Sequence, residues 1–367
     1  MTRLQAHKAS VPVLLEYIAK LFLTRFLILL IGIAVIMQAL DLLSQSGDVL
    51  APAEAGLDSL WRLTALRFPQ ILSNVVTFCA LLATLVTATT LAQHSEIAVM
   101  QASGLSAFRI VFPMMGVAAV IALLHFAFNE TVVVDANAEY QRWQAAGFEP
   151  GPISLPPAPS DAWATEGNVR IQVGGVTRDG TILDKLRLNK VDETGKTVEL
   201  TTSNFVVYDG DQWTMFDVTV FDVRENKVEA FSQLPWDTAI PPERFRALTV
   251  EPEQVSLPEL QRALDQLKGE SSARTRLTVW LHQKLAGPMG SILMPLLGAV
   301  AAFGVARSGA MFMRVVAGMA FGFSYLVFAN FLLAIGQYGA MPPILAAWSP
   351  FLLFLCLGSA LLFYTEA

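Results

Sequence analysis

The sequence predicts an α-helical membrane protein with six transmembrane helices, three on each side of a large polar insert. Two observations predict this class. The chain of 367 residues is 54% hydrophobic and 15% charged, whereas soluble domains are about 25% charged. Its apolar residues also fall into long stretches, and a helix crosses a bilayer with about 20 mostly apolar residues.

Charge is distributed unevenly along the chain. Residues 133–270 hold 13 Lys or Arg and 23 Asp or Glu, so the insert is acidic, and an acidic surface disfavours nucleic acid as a ligand. Both cysteines, Cys79 and Cys356, lie in apolar stretches. The insert is therefore expected to form without disulfides or a cysteine-rich zinc site, and we predict no metal and no cofactor.

The apolar stretches define the spans and the domains. The predicted spans are residues 11–43, 61–91, 105–128, 277–305, 311–335 and 344–364. The predicted domains are 1–132 with spans one to three, the insert 133–270, and 271–367 with spans four to six. The first stretch is too long for a signal peptide and no small-residue cleavage site follows it, so we interpret it as a retained anchor.

Basic residues in the short loops orient the spans, because cytoplasmic loops are enriched in Lys and Arg. Five such residues fall on one side: Arg3, Lys8, Arg109, Arg307 and Arg314. The opposite side carries acidic residues in its first loop: Asp48, Glu54 and Asp58. Both termini are therefore predicted to be cytoplasmic. A bacterial inner membrane with the insert in the periplasm is the simplest setting.

The insert alternates apolar and polar residues in short runs. These runs lie near residues 169–173, 182–188, 198–207 and 216–220, separated by turn residues at 178–180, 193–196, 208–211 and 224–227. Short strands with tight turns predict an antiparallel β-sandwich or jelly roll. A polar helix at 135–144 and a proline-rich link at 150–159 precede them. Prolines from 235 to 252 predict an extended return, and Ser256 with Glu259 forms a capping box that opens a further helix.

The stretch 91–106 between spans two and three is too short for a domain and predicts one small helix at about 95–103. Ser95 is expected to cap its start, and Gly104 suits a left-handed residue just past its end. His94 and Glu96 lie at its start, and Met100 contributes to an apolar side. From these residues alone, the stretch is either a solvated loop or a docking element for a soluble partner.

Basic residues also lie inside or beside the spans, where charge is expensive and faces a cavity or a partner. They are Arg62, Arg67, Arg274, Arg276 and Lys284. Such residues suit a ligand with phosphates and acyl chains, because a guanidinium binds phosphate in a bidentate manner. For Arg62 and Arg274, snorkelling to lipid headgroups is the alternative. Gly318 and Gly322 form a G-x-x-x-G pattern that predicts close helix packing or a mobile seam.

No catalytic motif occurs in the sequence. The string Gly195-Lys196-Thr197 resembles the end of a P-loop, but Lys190 stands where the motif needs its first glycine, and the context is a β-turn. Neither H-E-x-x-H nor G-x-S-x-G is present. We therefore predict a protein that is not an enzyme, and any energy for work in the membrane has to come from a partner.

Several strings carry a resemblance to a known family. They are Leu91-Ala92-Gln93-His94-Ser95-Glu96, Met100-Gln101-Ala102-Ser103-Gly104 and Ala346-Ala347-Trp348-Ser349-Pro350. With three spans, a β-rich insert and three more spans, the whole chain resembles the lipopolysaccharide export permease family (YjgP/YjgQ type), and the LptG branch more than the LptF branch. The resemblance implies an LptF–LptG heterodimer on a dimeric cytoplasmic ATPase, LptB. It also implies lipopolysaccharide as the substrate and a periplasmic jelly roll that passes it to LptC.

The resemblance further implies that the segment 95–103 is a coupling helix whose Glu96 faces the ATPase, and that spans one and five form lateral gates. The expected coupling residues are His94, Ser95, Glu96, Met100 and Gly104. The chain departs from the family where a Lys is frequent near the outer end of span one, since Gln38 and Asp41 stand there, and again at Gln70. The alternatives are a permease for another lipid or a lipoprotein, and a membrane-anchored periplasmic scaffold without transport.

Overall fold

A computed structural model describes residues 2–52, 56–149, 158–177, 180–267, 272–304 and 311–366 of the chain. They form two compact units. The membrane unit contains Met1–Ala51, Gly56–Tyr140 and Thr275–Ala367, and the sheet unit contains Pro52–Ala55 and Gln141–Arg274. The division between the units falls after Tyr140, a few residues later than the domain limit expected at 132. The limit expected at 270 lies outside the described residues.

A long helix covers each predicted apolar stretch. These helices are α1 (Thr2–Val49), α2 (Leu57–Gln93), α4 (Ala107–Phe128), α8 (Ser272–Gly304), α9 (Met311–Gln337) and α10 (Pro343–Glu366). The short helix α3 (Glu96–Ala102) follows α2. After α4, a π-helical turn (Asn129–Val133) leads into α5 (Val134–Ala145), which contains the predicted polar helix.

Among the described residues, five helical segments are long and apolar enough to cross a membrane. They are Val13–Val49, Leu57–Gln93, Ala107–Gln144, Val315–Gln337 and Pro343–Tyr364. A multi-pass helical protein is thus confirmed. Helix α8 covers predicted span four but is not among the five, so a count of six spans stays a prediction.

The membrane unit is apolar both inside and outside. Its interior contains Leu81, Met114 and Leu293, all buried in one cluster that α1, α2, α4, α8, α9 and α10 share. Its outer surface exposes large apolar side chains such as Phe112 and Leu123. Soluble proteins rarely expose large contiguous apolar patches, so this surface is suited to acyl chains.

Helix α9 approaches α2 closely at Gly322. Gly318 and Gly322 are both buried. A Cβ atom added to Gly322 would lie only 2.3 Å from Cδ2 of Leu81. The predicted packing role therefore has a physical basis at Gly322, where the missing side chain makes room for a buried leucine. A mobile seam at this place stays a prediction.

The sheet unit contains one six-stranded antiparallel sheet in the order β1 to β6 among the described residues. Its strands are β1 (Ala158–Glu166), β2 (Val169–Val176), β3 (Ile182–Val191), β4 (Thr197–Tyr208), β5 (Trp213–Asp222) and β6 (Lys227–Trp236). The antiparallel prediction is confirmed, whereas the jelly roll stays a prediction. Most of the predicted link 150–159 lies outside the described residues, and its last two residues belong to β1, which sequence patterns missed.

The turns between strands follow the predicted chemistry. Asp209 and Asp222 accept hydrogen bonds from backbone N–H groups in their turns. Asp192 accepts from the Thr194 hydroxyl as well as from backbone N–H groups. These bonds favour the ionised form and hold the pKa of all three carboxyls below the ordinary value.

The predicted extended return after β6 is wrong in part. Pro242 begins a short helix, α6 (Pro242–Leu248), because a proline at the first helical position lacks only an N–H that the helix does not use. The ring of Phe245 lies 5.4 Å from Trp213 and 5.8 Å from Trp236, so α6 packs on the last two strands. The predicted capping box does open α7 (Leu257–Gln266).

We predict that Gly322→Ala destabilises the membrane unit. The new methyl group would overlap buried Leu81, and overpacking of this kind costs about 1–3 kcal/mol. Thermal unfolding of the purified full-length protein in detergent measures the loss.

The matched control is Gly32→Ala on α1, where a new Cβ meets nothing within 4 Å. It should leave the unfolding temperature unchanged or raise it slightly, since alanine favours helix. Equal effects of the two substitutions would contradict the close approach of α9 to α2.

Candidate functional site

The short helix α3 ends as the sequence predicts. Gly104 is left-handed, with φ of +90°. The N–H of Leu105 donates to the carbonyl of Met100 at 3.1 Å, and the N–H of Gly104 donates to the carbonyl of Gln101 at 2.9 Å. This pair of bonds is a Schellman motif, which satisfies the last carbonyls of a helix and needs a residue that tolerates positive φ.

The start of α3 differs from the prediction. Ser95 occupies the N-cap position, but its side chain makes no capping hydrogen bond and its φ of 57° is left-handed. Its carbonyl accepts the N–H of Val99 at 3.1 Å. The prediction that Ser95 caps the helix is therefore wrong, because the turn from α2 puts this residue in the wrong backbone region. Exposed His94 lies just before it, with Nδ1 2.9 Å from the Thr90 carbonyl.

Helix α3 has one buried and one exposed side. Ile97 and Met100 are buried in the core cluster that α2 and α4 share. Val99 is 67% exposed, and Ala98 and Gln101 are exposed beside it. Met100 is only 6% exposed. Its role in coupling would therefore be to anchor the helix, and not to contact a partner.

Glu96 is the acidic residue at the start of α3, and it is half-buried. Its Oε1 accepts a hydrogen bond of 3.5 Å from the Tyr17 hydroxyl on α1. A second link ties the same region of α1 to α2, because the Arg25 guanidinium donates to the Val86 carbonyl at 2.9 Å. Helix α3 is therefore attached to α1, α2 and α4, and a displacement of α3 would act on all three helices.

Arg67 forms the most complete ion pair of the predicted phosphate-binding residues. Its Nε and one Nη donate to the two Asp41 carboxylate oxygens at 3.1 and 2.8 Å, so the pair is bidentate. Its other Nη donates to Gln70 Oε1 at 3.0 Å. The Tyr140 ring centroid lies 5.0 Å from the guanidinium carbon. A bidentate pair with these neighbours ties α1 to α2 and α5.

Arg62 lies five residues before Arg67 on α2 and pairs with Glu139 on α5 at 2.6 Å. The partner residues of the two arginines, Glu139 and Tyr140, are consecutive in the chain. The structure thus brings Arg62 and Arg67 together at one segment of α5.

Lys284 is paired at a separate place. Its Nζ lies 2.8 Å from Glu130 Oε1 in the π-helical turn, and the two side chains are 11% and 14% exposed. Residues 130 and 139 are nine positions apart along one continuous helical run, or about 13 Å at 1.5 Å per residue. Lys284 and the pair of arginines therefore belong to two polar positions on the same segment.

The remaining two basic residues are Arg274 and Arg276. Arg274 belongs to the sheet unit, where its guanidinium donates to the Leu264 and Leu267 carbonyls at 2.7 and 2.6 Å. These bonds satisfy carbonyl groups at the C-terminal end of α7 and so stabilise that end of the helix. Arg276 on α8 is half-buried. Which of the five basic residues contact lipid phosphates stays a prediction.

Sequence patterns missed a polar cluster between α2 and α4. The Ser73 hydroxyl donates to Asn129 Oδ1 at 2.6 Å, and the Ser73 oxygen lies 2.8 Å from His125 Nε2. Asn129 begins the π-helical turn. Turns of this type are rare in proteins, and many of those that occur lie at functional sites. The signal in the sequence was polar residues four apart within an apolar stretch.

Gln38 is a second missed residue. It lies on α1, one turn before Asp41, and is 8% exposed. Neither its amide nitrogen nor its amide oxygen has a hydrogen-bond partner in the part of the chain that the structure describes. Among these same residues, no group of His, Cys, Asp and Glu is arranged to hold a metal ion.

Comparison with known proteins identifies the family. Residues 16–364 match the family described as lipopolysaccharide export system permease LptF/LptG. Two similar proteins carry the name lipopolysaccharide export system permease protein LptG. The one from Haemophilus influenzae is 25% identical over 338 residues, which cover 90% of this chain and 91% of that protein. The one from Escherichia coli K12 is 26% identical over 350 residues, which cover 92% and 94%.

We predict that Lys284→Met lowers stability more than a surface substitution does. Breaking a buried pair leaves Glu130 as a poorly compensated charge, at a cost of about 3 kcal/mol. Thermal unfolding in detergent measures the loss.

The double variant Lys284→Met with Glu130→Gln should recover most of it, since the stranded charge is gone. Additive losses in this double-mutant cycle would show that the two side chains do not interact.

Proposed function

The chain belongs to the lipopolysaccharide export permease family LptF/LptG, and on this basis we propose that it extracts lipopolysaccharide from the inner membrane as a permease subunit. The match over residues 16–364 is the observation that carries the proposal. The protein is a transport subunit without catalytic activity of its own. A separate cytoplasmic ATPase of the LptB type supplies the energy.

The proposed orientation follows the basic residues of the short loops. Both termini and α3 lie on the cytoplasmic side, where Arg109 follows α3. The sheet unit lies in the periplasm, and six helices cross the inner membrane with α8 as the fourth. The apolar surface of the membrane unit supports this placement, because Phe112 and Leu123 are exposed to what would be lipid.

Helix α3 is the proposed docking element for the ATPase. Its exposed side offers His94, Ser95 and Glu96 to a soluble partner, while Ile97 and Met100 are fixed in the core. A partner that pushes on the exposed side moves a helix that is packed against α2 and α4. Gly104 permits the tight turn into α4. The displacement would therefore reach the opposite ends of α2 and α4 as a movement of whole helices.

The proposed contacts with lipid phosphates include Arg62, Arg67 and Lys284, together with Arg276 on α8. Their neighbours are apolar helices, so a phosphorylated headgroup and its acyl chains would find both kinds of surface together. Arg274 is the fifth proposed contact, and its guanidinium also donates to carbonyl groups at the end of α7.

The proposed partners are an LptF-type permease as the second half of a heterodimer and an LptC-type protein as the first part of a periplasmic bridge. The sheet unit would take the lipid from the membrane unit, as a jelly roll whose interior accepts acyl chains. Strands β1 and β6 are the outer strands of the described sheet, and an outer strand is the usual place for a partner strand to add.

We predict that Glu96→Ala lowers lipopolysaccharide transport at least about tenfold while the heterodimer stays folded. Loss of a charge-assisted contact with the ATPase, worth about 1.5–3 kcal/mol, gives an effect of this size. The measurement is ATP-dependent lipopolysaccharide release from vesicles that contain this chain, an LptF-type permease and the ATPase.

Tyr17→Phe is the matched control, because it removes only the intramolecular bond to Glu96. It should transport at nearly the normal rate. Normal transport by Glu96→Ala would reject the docking role. ATP-driven release of a different lipid or of a lipoprotein, with none of lipopolysaccharide, would favour a permease for that substrate. Failure to copurify with any ATPase would favour a scaffold.

A further inference from the structure

The donors around Asp41 converge on its carboxylate. Three N–H groups point at its two carboxylate oxygens, two from Arg67 and one from the Gln45 amide at 2.8 Å. The Tyr140 hydroxyl donates to the oxygen of that same Gln45 amide and orients it. Every one of these donors would serve a phosphate oxygen equally well, because carboxylate and phosphate present the same pair of acceptors to a guanidinium.

Gln38 adds a side-chain amide on the side of α1 that carries Asp41. Residues three apart on a helix lie on one side, so Gln38 and Asp41 share a side of α1. The side chain is more than nine-tenths buried and lacks a hydrogen-bond partner among the described residues. A buried polar group without a partner is destabilising. Evolution of a stable helix alone would favour an apolar residue here, and a polar ligand would satisfy this amide.

A permanent charge at this depth needs a counter-ion whether or not a ligand is present. The Arg67 and Asp41 side chains are 23% and 15% exposed, and a buried ion left alone is strongly destabilising. An empty site with Arg67 unpaired would therefore not be stable. A carboxylate on the neighbouring helix solves this problem when lipid is absent, and it competes with the lipid when lipid is present.

We propose that Asp41 is an exchangeable counter-ion, which neutralises Arg67 in the empty protein and gives way to the anionic phosphate of a lipid headgroup. The proposal rests on the proposed transport function and assigns it a release mechanism. A phosphate monoester carries about −1.5 to −2 charges at neutral pH, so it competes with the single charge of Asp41 for Arg67. When the headgroup leaves, Asp41 returns to Arg67. Gln38 and Gln45 contribute neutral donors to the bound phosphate.

The test is equilibrium binding of fluorescently labelled lipopolysaccharide to the full-length chain, together with its LptF-type partner, in phosphatidylcholine nanodiscs. Asp41→Asn removes the competitor and should tighten Kd about tenfold, with slower dissociation. Arg67→Ala should weaken Kd about tenfold, and the double variant should bind as weakly as Arg67→Ala, because the competitor matters only through the arginine.

Three further variants separate this role from a structural one. Gln38→Leu should keep or raise the unfolding temperature yet weaken binding of the lipid, which a residue with only a packing role would not do. Glu16→Gln is the matched control, since Glu16 pairs with Lys20 on the same helix with both side chains largely exposed, and it should leave Kd unchanged. Asp41→Glu keeps the charge and should bind like the natural protein, which separates loss of charge from misfolding.

Inorganic phosphate is the second probe. Competition with lipopolysaccharide at millimolar phosphate, absent in Arg67→Ala, would support phosphate as the recognised group. Tight phosphate binding by Asp41→Asn with no binding of the lipid would overturn the lipid as its source. An unchanged Kd in Asp41→Asn together with weaker binding in Arg67→Ala would overturn the counter-ion role and leave the proposed function standing. Absence of lipopolysaccharide binding in every variant would instead contradict the proposed function.

Discussion

A charge inside a membrane has to be neutralised, and the membrane unit meets this requirement by pairing charges across helices. Asp41 on α1 holds Arg67 on α2, Arg62 on α2 holds Glu139 on α5, and Glu130 in the π-helical turn holds Lys284 on α8. Each pair joins two elements that are distant in the chain. The same contacts that make the charges tolerable therefore also fix how these helices pack.

The requirement explains why these positions are suited to an anionic ligand. Pairs of this kind contribute little net stability, because desolvation offsets most of the attraction. Replacing each pair with apolar residues would give an equally stable bundle. Charges retained among apolar helices are typical of functional positions, and the proposed exchange with a phosphorylated lipid would use the charge and the bidentate geometry of Arg67.

Helix α3 lies at the ends of α1 and α2 that are far from Asp41 and Arg67. Buried Ile97 and Met100 fasten α3 to the core, and Tyr17 holds Glu96. Helix α2 runs from Arg67 through Pro69 to the residue before His94. Under the proposed function, a push on α3 would reach the paired arginines through this one helix.

Sequence patterns predicted the elements better than their contacts. Long apolar stretches, the left-handed Gly104 and the capping box at Ser256 are local features, and the structure contains them. Strands β1 and β6 were missed, because a proline-rich start and a polar, exposed edge hide the alternation that marks a strand.

The partners of the basic residues could not be predicted from spacing. Asp41 and Arg67 are 26 positions apart, and Glu130 and Lys284 are 154 apart, so only the packing of helices brings them together. The same reason explains why the carbonyl partners of Arg274 could not be predicted, since backbone groups carry no side-chain signal.

The most direct test of the account places a photoreactive amino acid at position 70, beside Arg67, in the full-length protein of living cells. The account predicts a crosslink to lipopolysaccharide at this position that strengthens when ATP hydrolysis by the partner ATPase is blocked. The same group at position 28, on the exposed outer side of α1, should crosslink mainly to bulk phospholipid. Equal labelling of lipopolysaccharide at both positions, or none at position 70, would contradict a headgroup site at the paired arginine.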